Sequence, residues 1–161
     1  MPNILYLSSM KQINIRIATQ KDLPILLEFE QGVVEAERPL DPTIKHTPTT
    51  YYNLNEMLTA KHIHLIVAEI NGSVVACGYA RIKNAKEALV HNYFGYLGFM
   101  YTSPQHRGKG INRRVIDELT TWCSSQNVHE IRLQVYQGNE AAIKAYEKVG
   151  FTKHMIEMRI K

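Results

Sequence analysis

Apolar and polar residues follow two kinds of periodicity in the first part of the chain. Isoleucines alternate with polar residues in INIRIAT, residues 13–19, and this period of two predicts a β-strand. Thr19 and Asp22 come next at the spacing of a capping box, which is typical of a helix start. The helix predicted there presents an apolar face made of Leu23, Leu26, Phe29 and Val33.

The middle of the chain predicts a loop, a second helix and a hairpin. Residues 37–48 contain three prolines and are predicted to be largely loop. The second helix is predicted over residues 49–61. Residues 62–83 then form two apolar runs around Asn71-Gly72, a dipeptide that favours the tight turn of a β-hairpin.

The second half predicts a strand, a helix and another strand in alternation. Residues 93–102 are aromatic and β-prone, although Gly95 and Gly98 indicate a bulge. Residues 130–136 alternate again and predict a strand. Between these strands, apolar residues at spacings of three and four predict a helix with one buried face: Ile111, Val115, Leu119 and Trp122.

The C-terminal part predicts one more helix and a last strand. Asn139 is a good N-cap and Gly150 is a good residue to follow a helix end, so the helix is bounded by these two residues. Residues 151–161 are predicted to close the chain as a strand. Mixed strands and helices of this kind predict an α/β or α+β fold, in which helices pack on one mixed sheet.

Composition and charge add little to this picture. The 161 residues suit a single domain over 1–161, in which residues 1–12 are expected to be a loosely ordered arm rather than a signal peptide. No apolar run reaches the length of about 18 residues that a membrane span needs. The net charge of +4 suits an anionic ligand or nucleic acid alike. Cys77 and Cys123 lie far apart, which favours a reduced, cytoplasmic protein.

The segment YTSPQHRGKGINRR, residues 101–114, has the composition of an anion-binding loop. It joins a predicted strand to a predicted helix, whose first N–H groups lack partners and whose dipole places positive charge there. Gly108 and Gly110 have no Cβ, so a ligand can approach the backbone closely. No carboxylate lies between Glu87 and Asp117 to cancel the charge of the basic side chains.

Two common nucleotide motifs do not fit this loop. A Walker loop needs a glycine at position 103, which is serine, and a dinucleotide fingerprint needs a glycine where Arg113 stands. The loop alone leaves a basic turn without a ligand as an equal alternative. Binding to nucleic-acid phosphates is less favoured, because aromatic residues do not interleave with the basic ones.

A second motif changes this balance. Residues 105–110 read QHRGKG and match the pattern Q/R-x-x-G-x-G/A, and residues 139–151 read NEAAIKAYEKVGF and match N-x-x-A-x-x-x-Y-x-K-x-G-F. Together the two motifs resemble the GNAT superfamily of acyl-CoA-dependent N-acyltransferases. The resemblance covers residues 93–160, and the order of the earlier elements agrees with it. It implies a mixed, mostly antiparallel central sheet with a splayed strand pair, flanked by about four helices.

The resemblance also implies a coenzyme and an acid. In the family, the loop binds the diphosphate of coenzyme A, and the preceding strand pairs with the pantetheine arm. Tyr146 resembles the general acid that protonates the departing thiolate, whereas the helix pattern alone would make it a core residue. No metal is implied. The positions that match coenzyme-binding residues are Met100, Tyr101, Thr102, Arg107, Gly108, Lys109, Gly110, Ile111, Asn112 and Asn139.

The general base and the acceptor stay open. Many family members carry a glutamate on the strand before the loop, but residues 94–100 contain no carboxylate. The base is then a water chain or another side chain, for instance Glu69 or His91. Residues 22–41 contain six acids, which suit a cationic amine and equally suit a solvated helix face. The acceptor-binding candidates near these acids are Glu28, Glu35 and Tyr51.

The leading interpretation is an enzyme that transfers an acetyl group from acetyl-CoA to a primary amine of a small molecule. Acetylation of a protein N-terminus or lysine is an alternative, as is a catalytically silent acyl-CoA-binding regulatory module. His62 and His64 share one side of a predicted strand, but no further metal ligand is evident near them. The sequence therefore predicts no metal, nucleic-acid or membrane partner, and it is compatible with a homodimer.

Overall fold

The periodic segments build a five-stranded sheet with helices on both faces in the computed structural model, which describes residues 12–160. The strands are β1 (Ile13–Ile17), β2 (Ile63–Ile70), β3 (Ser73–Asn84), β4 (Tyr93–Thr102) and β5 (Ile131–Leu133). The helices are α1 (Leu23–Glu37), α2 (Leu54–Met57), α3 (Ile111–Ser125) and α4 (Glu140–Lys148). The strands lie in the order β1-β2-β3-β4-β5, and all neighbours are antiparallel except the parallel pair β4–β5.

Each face of the sheet carries its own apolar cluster. On one face, α3 buries Leu119 against side chains such as Leu97 of β4, and Tyr146 of α4 packs at the edge of this cluster. On the other face, α1 and α2 bury Leu26 and Met57 against the strands. Because strand side chains alternate between the faces, the two clusters are separated by the sheet wherever its strands stay paired.

The predicted capping box is present and ties α1 to the sheet. The Thr19 N–H donates to the Asp22 carboxylate at 2.7 Å, and two nitrogens of Arg16 donate to the same carboxylate at 2.8 Å each. Arg16 also binds Glu69 of β2 at 2.6 Å. The hydrogen bonds from Arg16 hold the pKa of the Asp22 carboxyl at about 2, below its usual range.

The predicted hairpin is also confirmed. β2 and β3 pair from Ile63 opposite Arg81 to Ile70 opposite Ser73. Asn71 and Gly72 between them have φ angles of 52° and 77°. Two consecutive positive φ values are what a tight hairpin turn of the primed type requires, and asparagine and glycine tolerate them best.

Two predicted elements are shorter than expected. The helix predicted over 49–61 forms only as α2, because the N–H groups of Tyr51 and Tyr52 donate to the Glu30 carboxylate and Asn53 caps the helix at Leu54. The strand predicted over 130–136 is limited to β5, since the chain leaves β4 after Leu133.

The last predicted strand is wrong over the described part of 151–161. Residues 151–160 contain no strand. Alternation alone does not make a strand without a neighbour to pair with, and the apolar side chains here are exposed. The exposed set is Met155, Ile156, Met158 and Ile160.

Residues 1–11, which make up most of the predicted N-terminal arm, lie outside the described residues. Within residues 12–160, no helix combines the length and the apolar character needed to cross a membrane. The cytoplasmic location and the single domain over 1–161 stay predictions.

Candidate active site

β4 and β5 separate after a short paired stretch and leave a gap in the sheet. Residues 95–97 pair with β5. Beyond Leu97, within residues 12–160, the backbone of β4 has no strand partner on the β5 side. Because unpaired strand N–H and C=O groups bind extended chains, this edge can accept an extended ligand as an added strand.

A bulge in β4 lies at the start of the gap. Two residues of β4, Phe99 and Met100, lie opposite the single residue Gly78 of β3. Phe99 has a left-handed backbone with φ of 50°, and its carbonyl accepts a hydrogen bond from the Cys77 thiol at 3.4 Å. The bulge predicted from the glycines therefore exists, but Gly95 pairs in regular register.

After the bulge, successive side chains point to opposite faces of the sheet, as they do along any strand. Met100 packs with the α3 cluster, where a Cβ on Gly78 would lie 2.7 Å from its sulfur. Tyr101 packs with the α1 cluster, and its ring centroid lies 4.7 Å from that of Phe29. A Cβ on Gly32 of α1 would lie 2.5 Å from the Tyr101 ring, so this close approach requires glycine.

The loop after β4 ends in an open stretch of backbone. Gly108 and Gly110 have left-handed φ angles of 73° and 76°, and no atom lies within 4 Å of the position that a Cβ would take at either one. Gly110 is the N-cap of α3, whose first turn contains no acidic residue. Free N–H groups, the helix dipole and empty space therefore coincide at residues 107–112, which we call the cradle.

The basic side chains of the cradle fold back onto their own loop. Arg107 Nε donates to the Thr102 carbonyl at 2.9 Å, and Lys109 Nζ donates to the Gln105 carbonyl at 2.9 Å. These bonds keep positive charge at the rim and leave the space over the glycines free. The cradle therefore offers open space and positive charge to an anionic group such as a diphosphate.

α4 begins directly after the gap. The Asn139 side chain accepts a hydrogen bond from the Ala142 N–H at 3.2 Å, which confirms its capping role. The helix ends at Lys148, and Gly150 follows with φ of 105°. The caps therefore define both ends of the helix that carries Tyr146.

Tyr146 packs on the α3 face of the sheet. It packs at the edge of the α3 cluster, which also includes Met100, and its ring lies 5.9 Å from the Phe151 ring. Burial, with smaller contributions from Glu37 and Tyr96, raises the pKa of Tyr146 to about 12. The phenol is therefore protonated throughout the physiological pH range.

Four tyrosines lie near the bulge on the other face, and we call Tyr51, Tyr52, Tyr79 and Tyr96 the phenol cluster. Tyr52 stacks on Phe99 of the bulge with ring centroids 4.6 Å apart. Tyr52 also contacts Tyr51 and Tyr79 at 6.0 Å each, and Tyr79 lies 6.4 Å from Tyr96. Burial raises the pKa of every phenol in the cluster.

The Tyr96 ring makes a cation–π contact with a lysine of the same chain. The Lys83 ammonium lies 4.1 Å from the ring centroid, within the range of a cation–π contact. The Tyr96 hydroxyl donates to the side chain of Gln134, just after β5, at 3.3 Å. The ring is thus fixed across the two splayed strands in an orientation that attracts positive charge.

Two acids of α1 face the phenol cluster. Glu30 is buried, and its Oε1 accepts hydrogen bonds from the N–H groups of Tyr51 and Tyr52 at 2.6 and 2.8 Å. Glu37, the last residue of α1, is half-buried, and burial raises its pKa. Burial and then the Glu37 carboxylate raise the pKa of Tyr51, although the Tyr51 hydroxyl makes no hydrogen bond of normal geometry within residues 12–160.

The acceptor residues predicted from the sequence are only partly brought together. Tyr51 belongs to the phenol cluster. Glu35 is exposed and pairs with Arg38 at 2.7 Å. Glu28 lines a separate cavity of about 600 Å³ beside Tyr101, between α1 and the β2–β3 turn.

Glu37 was not among the acceptor-binding residues predicted from the sequence, although its position along α1 indicates that it lies on the inward side of the helix. Glu37 lies four residues after Val33 and seven after Glu30, so it shares the core-facing side of α1. Glu28 and Glu35 lie on the opposite side of the same helix. If the helical period is applied to the acids as well as to the apolar residues, it predicts that Glu37, rather than Glu28 or Glu35, faces the phenol cluster.

The two side chains named as possible bases lie elsewhere. Glu69 is bound to Arg16, which lowers its pKa, and β2 is separated from β4 by a whole strand. His91 precedes β4, at the end away from the bulge. β4 itself has no room for a side chain at Gly98, because a Cβ there would lie 2.7 Å from the Tyr79 hydroxyl.

One of the two histidines considered as metal ligands packs against α3. His64 stacks on Trp122 with ring centroids 5.0 Å apart, and burial lowers its pKa. Among the described residues, no three His, Cys, Asp or Glu side chains are grouped as metal ligands. His64 is therefore a packing residue under α3.

Comparisons with known proteins agree with this geometry. Residues 31–151 match the model of the Acetyltransferase (GNAT) family. The chain is 26% identical over 141 residues to the N-alpha-acetyltransferase RimI of Mycobacterium tuberculosis, over 88% of this chain and 79% of RimI. A shorter match, 37% identical over 59 residues, covers 37% of this chain and 24% of the uncharacterized N-acetyltransferase YobR of Bacillus subtilis.

Solved structures share the fold at lower identity. A predicted acetyltransferase with acetyl-CoA from Clostridium acetobutylicum is similar with a TM-score of 0.75 and 23% identity, over 93% of this chain and 96% of that one. The aminoglycoside antibiotic 6′-N-acetyltransferase AAC(6′)-IG from Acinetobacter haemolyticus gives 0.71 and 16%, over 92% and 97%. With the family match extending over most of the sequence, the chain belongs to the GNAT family and is an acetyl-CoA-dependent N-acetyltransferase.

Proposed function

We propose that this enzyme transfers the acetyl group of acetyl-CoA to a primary amine of a small molecule, which attacks the thioester directly. The observation that carries the proposal is the gap between β4 and β5, with the open cradle at one end and Tyr146 packed in the same cluster as Leu97 and Met100 of β4. A gap in a sheet connects its two faces. The coenzyme can therefore enter from the α3 side while the amine approaches from the side of the phenol cluster.

The chain's own residues account for coenzyme binding in this proposal. The N–H groups of residues 108–112 bind the diphosphate, whereas the Arg107 N–H already donates to the Pro104 carbonyl at 3.3 Å. The free backbone edge of Met100, Tyr101 and Thr102 binds the pantetheine arm. Asn139 keeps its side-chain NH₂ group for the same arm while its oxygen caps α4. Acetyl-CoA, when bound, supplies an acetyl group activated as a thioester. A β4 N–H directed at the thioester oxygen would stabilise the transition state by about 3 kcal/mol.

Tyr146 acts on the leaving sulfur in this proposal. A phenol with a pKa of about 12 is a weaker acid than a thiol, whose usual pKa is about 8.5. Complete proton transfer from the phenol to a free thiolate would then cost about 5 kcal/mol. Tyr146 therefore assists mainly through a hydrogen bond to the sulfur as negative charge develops there.

Two features favour a small cationic amine as the acceptor. The phenol cluster and the half-buried Glu37 offer aromatic faces and negative charge to an ammonium group. A fold neighbour, AAC(6′)-IG, is named for acetylating an aminoglycoside. The likeness to RimI, named as an N-alpha-acetyltransferase, supports acetylation of a protein N-terminus as the second candidate.

A thiol-release assay separates these candidates. The purified chain is incubated with acetyl-CoA and a panel of alkylamines, one aminoglycoside, amino acids and peptides with free N-termini. We expect release with small primary amines. Higher kcat/KM for peptides would favour the protein acetyltransferase, and tight acetyl-CoA binding without release across the panel would favour a silent module. Absence of acetyl-CoA binding would refute the proposal.

A further inference from the structure

The acceptor amine needs a group that takes its proton, and β4 carries no carboxylate. We propose that Glu37 is the catalytic residue that binds the acceptor's ammonium group and accepts a proton from it, an inference that rests on the proposed function. The carboxylate comes from the end of α1 rather than from the sheet. The phenol cluster surrounds the amine between this carboxylate and the gap.

The helix positions Glu37 at the phenol cluster. It is the last residue of α1 and shares the inward side of the helix with Glu30, which is bound by the backbone of Tyr51 and Tyr52. This bond fixes the segment of Tyr51 against the end of α1. The Tyr51 hydroxyl faces the Glu37 carboxylate, and this contact, after burial, raises the pKa of Tyr51.

The charge of Glu37 reaches both sides of the gap. On the α1 side it raises the pKa of Tyr52, after the larger effects of burial and Tyr79, and the pKa of Tyr96, after the larger effect of burial. Across the gap it raises the pKa of Tyr146 in the same way. The ring contacts agree with this placement: the Tyr51 ring lies 6.0 Å from that of Tyr52, and Tyr52 stacks on Phe99 of the bulge at 4.6 Å, so the phenol cluster leads from the end of α1 to the gap.

The other charged groups near Glu37 are already paired. Asp41 accepts hydrogen bonds from Thr43, which lower its pKa, and it binds Arg159 at 3.3 Å. The Tyr136 hydroxyl donates to Asp41 at 3.1 Å. Arg38, the next residue along the chain, is held by Glu35 at 2.7 Å. Glu37 has no basic partner among the described residues that form salt bridges, so its charge is left for a ligand.

The proton balance of the reaction is simple. An acceptor R–NH₃⁺ binds to the Glu37 carboxylate and transfers one proton to it, giving R–NH₂ and a neutral carboxyl group. The nitrogen lone pair then forms the C–N bond to the acetyl carbon, and the C–S bond breaks. The second proton of the nitrogen passes to the sulfur, giving R–NH–CO–CH₃ and the free thiol. Glu37 finally returns its proton to solvent.

The test is the pH dependence of kcat/KM for an alkylamine in wild type and in Glu37→Gln. In wild type, kcat/KM should increase with pH as Glu37 ionises, and this increase should occur above pH 4.5 because burial raises the pKa of Glu37. At higher pH, still below the pKa of the amine, kcat/KM should reach a plateau. In Glu37→Gln only free amine can react. Its kcat/KM should therefore climb about tenfold per pH unit up to the pKa of the amine and lie at least roughly 100-fold below wild type at neutral pH.

A weakly basic acceptor separates proton transfer from packing. Trifluoroethylamine is mostly unprotonated at neutral pH, so Glu37→Gln should lower its kcat/KM far less than that of the alkylamine. Glu37→Asp, which keeps a carboxylate, should restore the wild-type shape of the profile at a lower rate. Glu56→Gln removes an exposed acid from α2 and should leave the profile unchanged.

The outcomes distinguish this assignment from the proposed function. Wild type that acetylates no amine overturns the proposed function and the assignment with it. Active wild type, together with a Glu37→Gln profile that keeps the plateau and falls less than about threefold, overturns the assignment alone. Acetyl-CoA affinity and melting temperature, measured for each variant, show whether the fold is intact. If Glu37→Gln does not fold, the Glu37→Asp profile and the two amines decide instead.

Discussion

Comparison of Gly110→Ala with a control variant can separate the effect of backbone strain from the loss of coenzyme binding. Gly110 and Gly72 have nearly the same left-handed backbone, with φ of 76° and 77°, and open space surrounds the Cβ position at both. Gly72 lies in the turn between β2 and β3, whereas Gly110 lies in the cradle. Gly72→Ala is therefore a matched control for Gly110→Ala, since each adds one methyl group to the same backbone conformation.

The two variants should lose similar stability. A left-handed conformation costs an L-residue about 1–2 kcal/mol, and the stiffer unfolded chain of alanine offsets roughly 0.4–1 kcal/mol of this. The net loss of about 1 kcal/mol corresponds to a melting temperature about 2–4 °C lower in a domain of this size. Only in Gly110→Ala does the methyl group also occupy the space for the diphosphate. Loss of one charge-assisted hydrogen bond there costs about 1.5–3 kcal/mol, or roughly 10- to 150-fold in affinity.

Thermal melts and calorimetric titration with acetyl-CoA measure the two effects separately. We expect Gly72→Ala to melt at the same temperature as Gly110→Ala while it binds acetyl-CoA like wild type. Gly110→Ala should bind at least about tenfold more weakly. Equal affinity in the two variants would refute the cradle as the diphosphate site, because the shared strain would then be the only consequence of the methyl group.

Three further predictions concern Tyr146, the N-terminal ion pair and the C-terminal segment. Tyr146→Phe should lower kcat roughly 10- to 100-fold while acetyl-CoA affinity stays within about twofold, and unchanged kcat would remove Tyr146 from the chemistry. The pKa of Asp22 is lowered to about 2, so its stabilisation is present above the unfolded value and is lost as pH falls. Asp22→Asn should therefore lower the free energy of unfolding in urea by about 2 kcal/mol at neutral pH, and a deficit that does not shrink between neutral pH and pH 2 would contradict this. Lysine at both Ile156 and Met158 should weaken self-association in sedimentation experiments if their exposed side chains contact a second copy, and a monomeric wild type would rule out the homodimer.

Elements with local signals at their ends are the ones that the sequence predicts well. The capping box of Thr19 and Asp22, the turn at Asn71-Gly72 and the cap at Asn139 each depend on side chains within a few residues. The cradle is similar, since its glycines and its missing carboxylates are properties of one contiguous segment. Local chemistry decides these features, so a single sequence is enough to predict them.

The errors occur where a distant residue decides the local structure. Residues 49–53 follow a helical pattern, but the buried Glu30 carboxylate binds two of their N–H groups and prevents the helix from starting before Leu54. Residues 151–160 alternate like a strand, but no strand pairs with them in the described chain. In the same way, the phenol cluster joins residues of a loop and two strands, and no spacing along the sequence reveals it.

The gap also couples the two proton transfers of the proposed reaction. The negative charge of Glu37 contributes to the high pKa of Tyr146. When Glu37 accepts the proton of the amine, that charge disappears, and the pKa of Tyr146 falls. The phenol therefore becomes a better hydrogen-bond donor at the stage when the sulfur begins to carry negative charge. The sign of this coupling favours departure of the thiol after an acceptor has bound, and it adds to the larger effect of burial on the pKa of Tyr146.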